Sequence, residues 1–166
     1  MKDLKLRKTA NSITKEELQA FKTEFNLSLP KSYEDFILKH NGGYPEIAAF
    51  DNPYEDGVII EVSNRISTED EDFFARRGKV YSSRTAIQTH QQLEKNIPEF
   101  LYPFGLDAGG GNFCISMREE DFGTIYQFFM DGTAEEPIYV TDSFENFVNA
   151  LESVDNYEDE EEYDDE

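Results

Sequence analysis

The run Asp107-Ala108-Gly109-Gly110-Gly111-Asn112 separates two apolar stretches, Leu101-Tyr102-Pro103-Phe104 and Phe113-Cys114-Ile115. Consecutive glycines neither hold a helix nor pack a strand, but they reverse the chain at little steric cost. A parallel crossover needs a dozen or more residues, so a link this short joins antiparallel neighbours. The same logic applies further along. Phe113–Met117 and Thr124–Met130 are the strongest strand signals, and Arg118–Gly123 joins them. Ile138–Thr141 adds another strand, ended by Asp142-Ser143. Upstream, Glu46–Phe50 and Val58–Val62 are short β-prone runs around the turn-rich Asn52-Pro53-Tyr54-Glu55-Asp56-Gly57.

Helix signals flank this β region. Thr14 and Glu17 fit a capping box, with Ile13 and Leu18 as its hydrophobic staple. Leu18, Phe21 and Phe25 then share one face, and Asn26 ends the helix. Leu29-Pro30 is extended, because proline disfavours the α region in its predecessor. Ser32 is the expected cap of a second helix, with Tyr33, Phe36, Ile37 and His40 as its inner stripe and Asn41-Gly42-Gly43 as its stop. Ser83–Asn96 predicts a helix with Ile87, His90 and Leu93 or Glu94 on successive turns, stopped by Pro98. The last helix, capped by Asp142 or Ser143, carries Phe144, Phe147, Val148 and Leu151 on one face. The fold class expected is α+β: a single antiparallel sheet with helices packed on one face and edge.

Charge sets the domain limits. The 166 residues hold 36 Asp+Glu and 15 Lys+Arg, a formal net charge of −21. Nine of those acids, with no base, fall in the last twelve residues, leaving −12 on the rest. Residues 155–166 are therefore expected to be a disordered acidic tail. Residues 1–13 form a basic N-terminal segment, and 14–154 a single domain. The apolar fraction of 38% is low, but 14 Phe and 9 Tyr supply a core. No apolar run approaches a membrane span. The N-terminus lacks the apolar stretch of a secretory signal, and the one cysteine forms no internal disulfide. Cytoplasmic location is the expectation.

Catalytic and ligand motifs are weak. The glycine run lacks the Gly-Lys-Ser/Thr of a phosphate loop and precedes no helix. Asp107, Asn112 and Asp121 are oxygen ligands in kind, without the calcium-loop spacing. Cys114 with His40 or His90 is a nucleophile and base in kind, but Cys114 lies inside an apolar strand. One Cys and two His do not make a zinc set without carboxylates. The expectation is a protein with no enzymatic activity, no cofactor and no metal.

Acidic clusters remain. They are Asp51, Glu55 and Asp56; Glu69, Asp70, Glu71 and Asp72; and Glu119, Glu120 and Asp121. Tyr54, Phe73 and Phe74 are interleaved with them. Such clusters serve solubility, or they form a negative face for a positive partner in which aromatic anchors sit within a polar rim. Direct binding of nucleic acid or anionic membrane is disfavoured at this charge, and a basic protein is favoured.

Three runs resemble one family. Leu29-Pro30-Lys31-Ser32-Tyr33-Glu34-Asp35-Phe36-Ile37 followed by His40-Asn41-Gly42-Gly43-Tyr44-Pro45 is similar to the N-terminal signature of the SUKH superfamily. Pro103-Phe104-Gly105 with Asp107 and Gly109 to Asn112, Cys114, then Gly123, Ile125 and Tyr126, resembles its second. Ser143-Phe144-Glu145-Asn146-Phe147 resembles its third. Residues 51–82 and the tail match none of it. The resemblance implies an α+β fold and a non-catalytic role. In bacteria that role is immunity: binding and neutralising a cognate polymorphic toxin, often a nuclease with a basic nucleic-acid groove. Fungal relatives imply the alternative, a scaffold or regulator of cell-wall assembly.

Overall fold

The computed structural model describes residues 1–50, 58–67, 82–107, 109–132 and 135–152. The chain runs β1 (Leu6–Arg7), α1 (Lys15–Phe25), α2 (Lys31–Lys39), β2 (Tyr44–Pro45), β3 (Ala49–Phe50) and β4 (Val58–Ser63). It continues with α3 (Ser83–Ala86), β5 (Leu101–Asp107), β6 (Asn112–Ser116), β7 (Ile125–Phe128), β8 (Ile138–Thr141) and α4 (Phe144–Ala150). Strands β3 to β8 form a six-stranded antiparallel sheet in sequence order, and β1 pairs with β2 in a separate ribbon. The α+β class holds, with the two-stranded ribbon as an addition to the single sheet expected. Among the described residues no helix is long and apolar enough to cross a membrane.

Alternation along β5, β6 and β7 sorts the sheet into two faces. Tyr102, Phe104, Phe113, Ile115 and Ile125 enter the main core, together with Tyr33, Phe36, Phe144 and Phe147 from the helices. Leu101, Cys114 and Phe128 point the other way and pack with Ile97. The main core is aromatic at its centre. Phe144 lies edge-on to Tyr33 at 5.3 Å, to Phe36 at 5.2 Å and to Phe104 at 5.5 Å. Phe147 meets Phe104 at 5.5 Å and Phe113 at 5.4 Å. The Tyr33 and Tyr102 hydroxyls, both buried, hydrogen-bond each other at 2.8 Å. Burial raises the pKa of both, Tyr102 to about 12.

Local signals hold in part. The capping box is complete: Glu17 N–H donates to Thr14 Oγ1 at 3.1 Å and Thr14 N–H to Glu17 Oε1 at 3.0 Å. Asn26 ends α1 in the left-handed region, and Ser143 caps α4 through Asn146 N–H. Helix α2 differs. Pro30, not Ser32, stands at its N-cap, and no side chain caps it. Proline already fixes the φ needed there and brings no N–H to satisfy. Of the strand expected over Glu46–Phe50 only β3, Ala49–Phe50, forms; β2 precedes it at Tyr44–Pro45, and Ala48 N–H is bonded to Glu152 O.

The Ser83 helix holds a larger surprise. After α3 it widens into a π-helix over Ile87–Leu93. Five residues per hydrogen-bonded loop, as in Glu94 N–H to Thr89 O, rotate the inner face away from a 3.6-residue stripe. Ile87 is buried, but the next buried residue is Gln91, and Leu93 is 79% exposed. Gln91 Nε2 donates to Pro98 O at 2.9 Å and also to Leu101 O, which ties this helix to β5.

Asn41-Gly42-Gly43 does more than end α2. His40 caps the helix with extended backbone. Asn41 is a buried clamp: its Nδ2 donates to Asn11 O at 2.8 Å and Ile66 O at 3.2 Å, and its Oδ1 accepts from Ile66 N–H at 2.7 Å. Gly42 has φ +76°, and a Cβ there would lie 2.6 Å from Arg65 N. Gly43 and Ser63 exchange backbone hydrogen bonds at 2.9 and 2.8 Å. The motif therefore joins the helical hairpin to the chain leaving β4.

Two variants test this packing in thermal or denaturant unfolding. Phe144→Ala removes the ring shared by α2 and β5 and is expected to cost about 3–5 kcal/mol. Asn41→Ala strands the Ile66 N–H and two carbonyls and is expected to cost about 1–3 kcal/mol. Asn41→Asp keeps the shape but aims a carboxylate at two carbonyl oxygens, and should cost more than Asn41→Ala.

A candidate partner interface at the acidic turn

Of the thirteen residues expected to face a partner, the structure describes Glu119, Glu120 and Asp121. Asp51, Tyr54, Glu55, Asp56, Glu69, Asp70, Glu71, Asp72, Phe73 and Phe74 lie outside the described residues, as does the 155–166 tail. The three acids form a single 3₁₀ turn between β6 and β7. Glu119 and Glu120 are exposed.

Asp121 has a different role from its neighbours. Its Oδ1 accepts from Ser116 Oγ at 2.6 Å and from Arg118 Nε at 3.1 Å. Its Oδ2 accepts from Arg118 Nη2 at 2.5 Å and from Tyr126 Oη at 2.6 Å. The guanidinium bonded to it holds this carboxyl well below the usual carboxylate range, aided by the two hydroxyls. Arg118 in turn lies over the Phe100 ring at 3.9 Å and approaches Glu120 Oε1 at 3.6 Å. Burial raises the Tyr126 hydroxyl, and Asp121 adds to it. One carboxylate thus fastens the turn to β6 and β7, leaving Glu119 and Glu120 as its outward charges.

Strand register extends the site. Ile125 pairs with Thr141, so the start of β7 and the end of β8 lie at the same end of the sheet. Tyr139 stacks edge-on to Tyr126 at 6.4 Å, and its hydroxyl donates to Asp142. Tyr139 is 48% exposed and Phe122, on the turn, 45%. The sequence spacing of Arg118 and Asp121 was a visible sign of their pairing. Ser116, Tyr126 and Tyr139 become visible only through strand register.

The other candidates sort into architecture. Asp107 Oδ1 accepts from Gly109 N–H and Gly111 N–H, each at 2.8 Å, and Oδ2 accepts from Gln127 Nε2 at 2.6 Å. A Cβ at Gly111 would lie 2.4 Å from Asp107 Oδ2. The amides that would cradle a phosphate are engaged by the turn's own carboxylate. Cys114 is fully buried, and burial pushes its thiol up, which removes the thiolate a nucleophile needs. It packs on the sheet face opposite Phe113 and Ile115, while His40 follows α2 and packs on Phe36 at 5.5 Å. His90 Nδ1 is engaged by Glu94 Oε1 at 2.7 Å. Among the described residues, no three His, Cys, Asp or Glu side chains are grouped to hold a metal.

An antiparallel meander with α1, α2 and α4 in its main core, whose signature residues serve turns and clamps, defines a SUKH-type α+β domain. The chain belongs to the SMI1 / KNR4 family (SUKH-1), which it matches over residues 12–150. No curated protein matches it.

The turn makes a pH prediction. A carboxyl held below its unfolded value, about 3.9 for Asp, stabilises the fold above that pH. That contribution is lost as pH falls through the folded value. Asp121→Asn is expected to lower the melting temperature at neutral pH and to flatten its decline below about pH 4. Melting curves across an acid series would show equal slopes if Asp121 were idle.

Proposed function

We propose that this protein is an immunity protein that binds and neutralises a cognate polymorphic toxin in the cytoplasm, most naturally a nuclease. The observation that carries the reading is the acidic turn of a SUKH-1 domain: Glu119 and Glu120 project beside exposed aromatics, while Asp121 fixes the turn. A nuclease holds its substrate through basic surface, so a rigid array of carboxylates can occupy the same surface in place of phosphate. Steering between opposite charges speeds the encounter. A buried free cysteine accords with a reducing compartment. A scaffold of the cell-wall regulator type is the second reading, and the same acidic surface would serve it.

Neutralisation on this account is stoichiometric and non-catalytic. Co-expression with the toxin encoded beside its gene should restore growth, and purified protein should inhibit the toxin at one-to-one ratios. The triple variant Cys114→Ala, His40→Gln, His90→Gln should inhibit as the parent does, provided it folds. Substoichiometric inactivation of the toxin would contradict binding as the mechanism. No rescue, with a housekeeping partner captured instead, would favour the scaffold reading.

A further inference from the structure

Charge in this chain is segregated by sequence. Residues 1–45 carry eight Lys/Arg and six Asp/Glu, whereas residues 46–166 carry seven and thirty. After Arg118 there is no Lys, Arg or His at all, against eighteen acids. The last cation, Arg118, is already engaged by Asp121 and stacked on Phe100. The turn end of the sheet therefore presents negative charge with no free cation of its own segment to offset it.

Apolar exposure falls at the same end. Met1, Leu93, Phe122 and Tyr139 are the exposed large hydrophobics among the described residues. Phe122 and Tyr139 are joined through the turn: Tyr139 touches Tyr126, and Tyr126 bonds Asp121, the residue before Phe122. Glu119 and Glu120 are exposed on the turn that leads to Phe122, and Asp142 accepts from the Tyr139 hydroxyl. Backbone bonds keep the turn in shape, with Gly123 N–H to Ser116 O at 2.9 Å and Thr124 N–H to Asp121 O at 3.0 Å. A surface ordered before binding loses less entropy when a partner arrives.

We propose that Phe122 and Tyr139, rimmed by Glu119, Glu120 and Asp142, form the docking surface for a lysine- or arginine-rich protein surface. A Lys or Arg side chain answers both features at once. Its charge pairs with the rim, and its stem and cationic head pack on an aromatic face. A second copy of this chain fits poorly, because each copy carries 36 Asp+Glu against 15 Lys+Arg and two copies repel. The surface rests on the immunity reading for the identity of its partner, but not for its chemistry.

The test uses the full chain and a short peptide of alternating lysine and leucine, followed by residue-resolved amide NMR. Saturable shifts are expected at residues 118–124 and 138–142. Tyr139→Ala and Phe122→Ala should each weaken binding about tenfold, with the fold intact by circular dichroism. Shifts confined to other residues, or variants that bind as the parent does, would overturn the proposal. So would the same amides shifting with protein concentration alone, which would make a second copy the occupant. Peptide binding at this end without toxin protection would retain the surface and refute the immunity role. Protection by a protein whose Phe122 and Tyr139 variants lose nothing would do the reverse.

Discussion

The contact of Phe144 with Tyr33, Phe36 and Phe104 is the seam on which this domain depends. It brings the last helix α4, the second helix α2 and strand β5 to one point. The order of the elements along the chain gives no reason for α2 and α4 to be neighbours. Aromatic side chains bury large areas and prefer edge-on contact, so three such rings define a geometry as well as a hydrophobic gain. Once α2 is seated, Asn41 is placed to clamp Ile66, and Gly42 is pressed so close to Arg65 that a side chain would not fit.

The far side of the sheet follows a different rule. Leu101, Cys114 and Phe128 make a smaller apolar group there. Toward β8 that face becomes polar and exposed, through Tyr126 and Tyr139. The transition is governed by one ion pair. Asp121 takes the guanidinium of Arg118 and two hydroxyls, so its charge organises the protein internally, while the charges of Glu119 and Glu120 remain available to solvent. Three consecutive acids thus divide into one structural and two outward-facing groups.

Features with local causes were legible in the sequence. The capping box at Thr14, the αL residue Asn26, the Ser143 cap and the Phe144–Leu151 face each depend on residues a few positions apart. The glycine turn at 109–111 followed from its glycines, and the antiparallel pairing of β5 with β6 and of β6 with β7 from the short links between them. What escaped was set by distant partners. The π-helix at Ile87–Leu93 turns Gln91 inward toward the carbonyls of Pro98 and Leu101, a need no periodicity expresses. The clamp role of Asn41 requires the position of Ile66, and the division of labour in the acidic turn requires Tyr126, which only strand register brings to it.

Acidic charge at the turn end is the central element of the functional account, and association kinetics test it most directly. The measurement is the association rate with the proposed cognate toxin across a salt series, for the parent protein and for Glu119→Lys with Glu120→Lys. Electrostatic steering predicts a rate that falls steeply with ionic strength and a clearly shallower slope in the double variant. Equal slopes for the two proteins, or a parent rate indifferent to salt, would contradict the account.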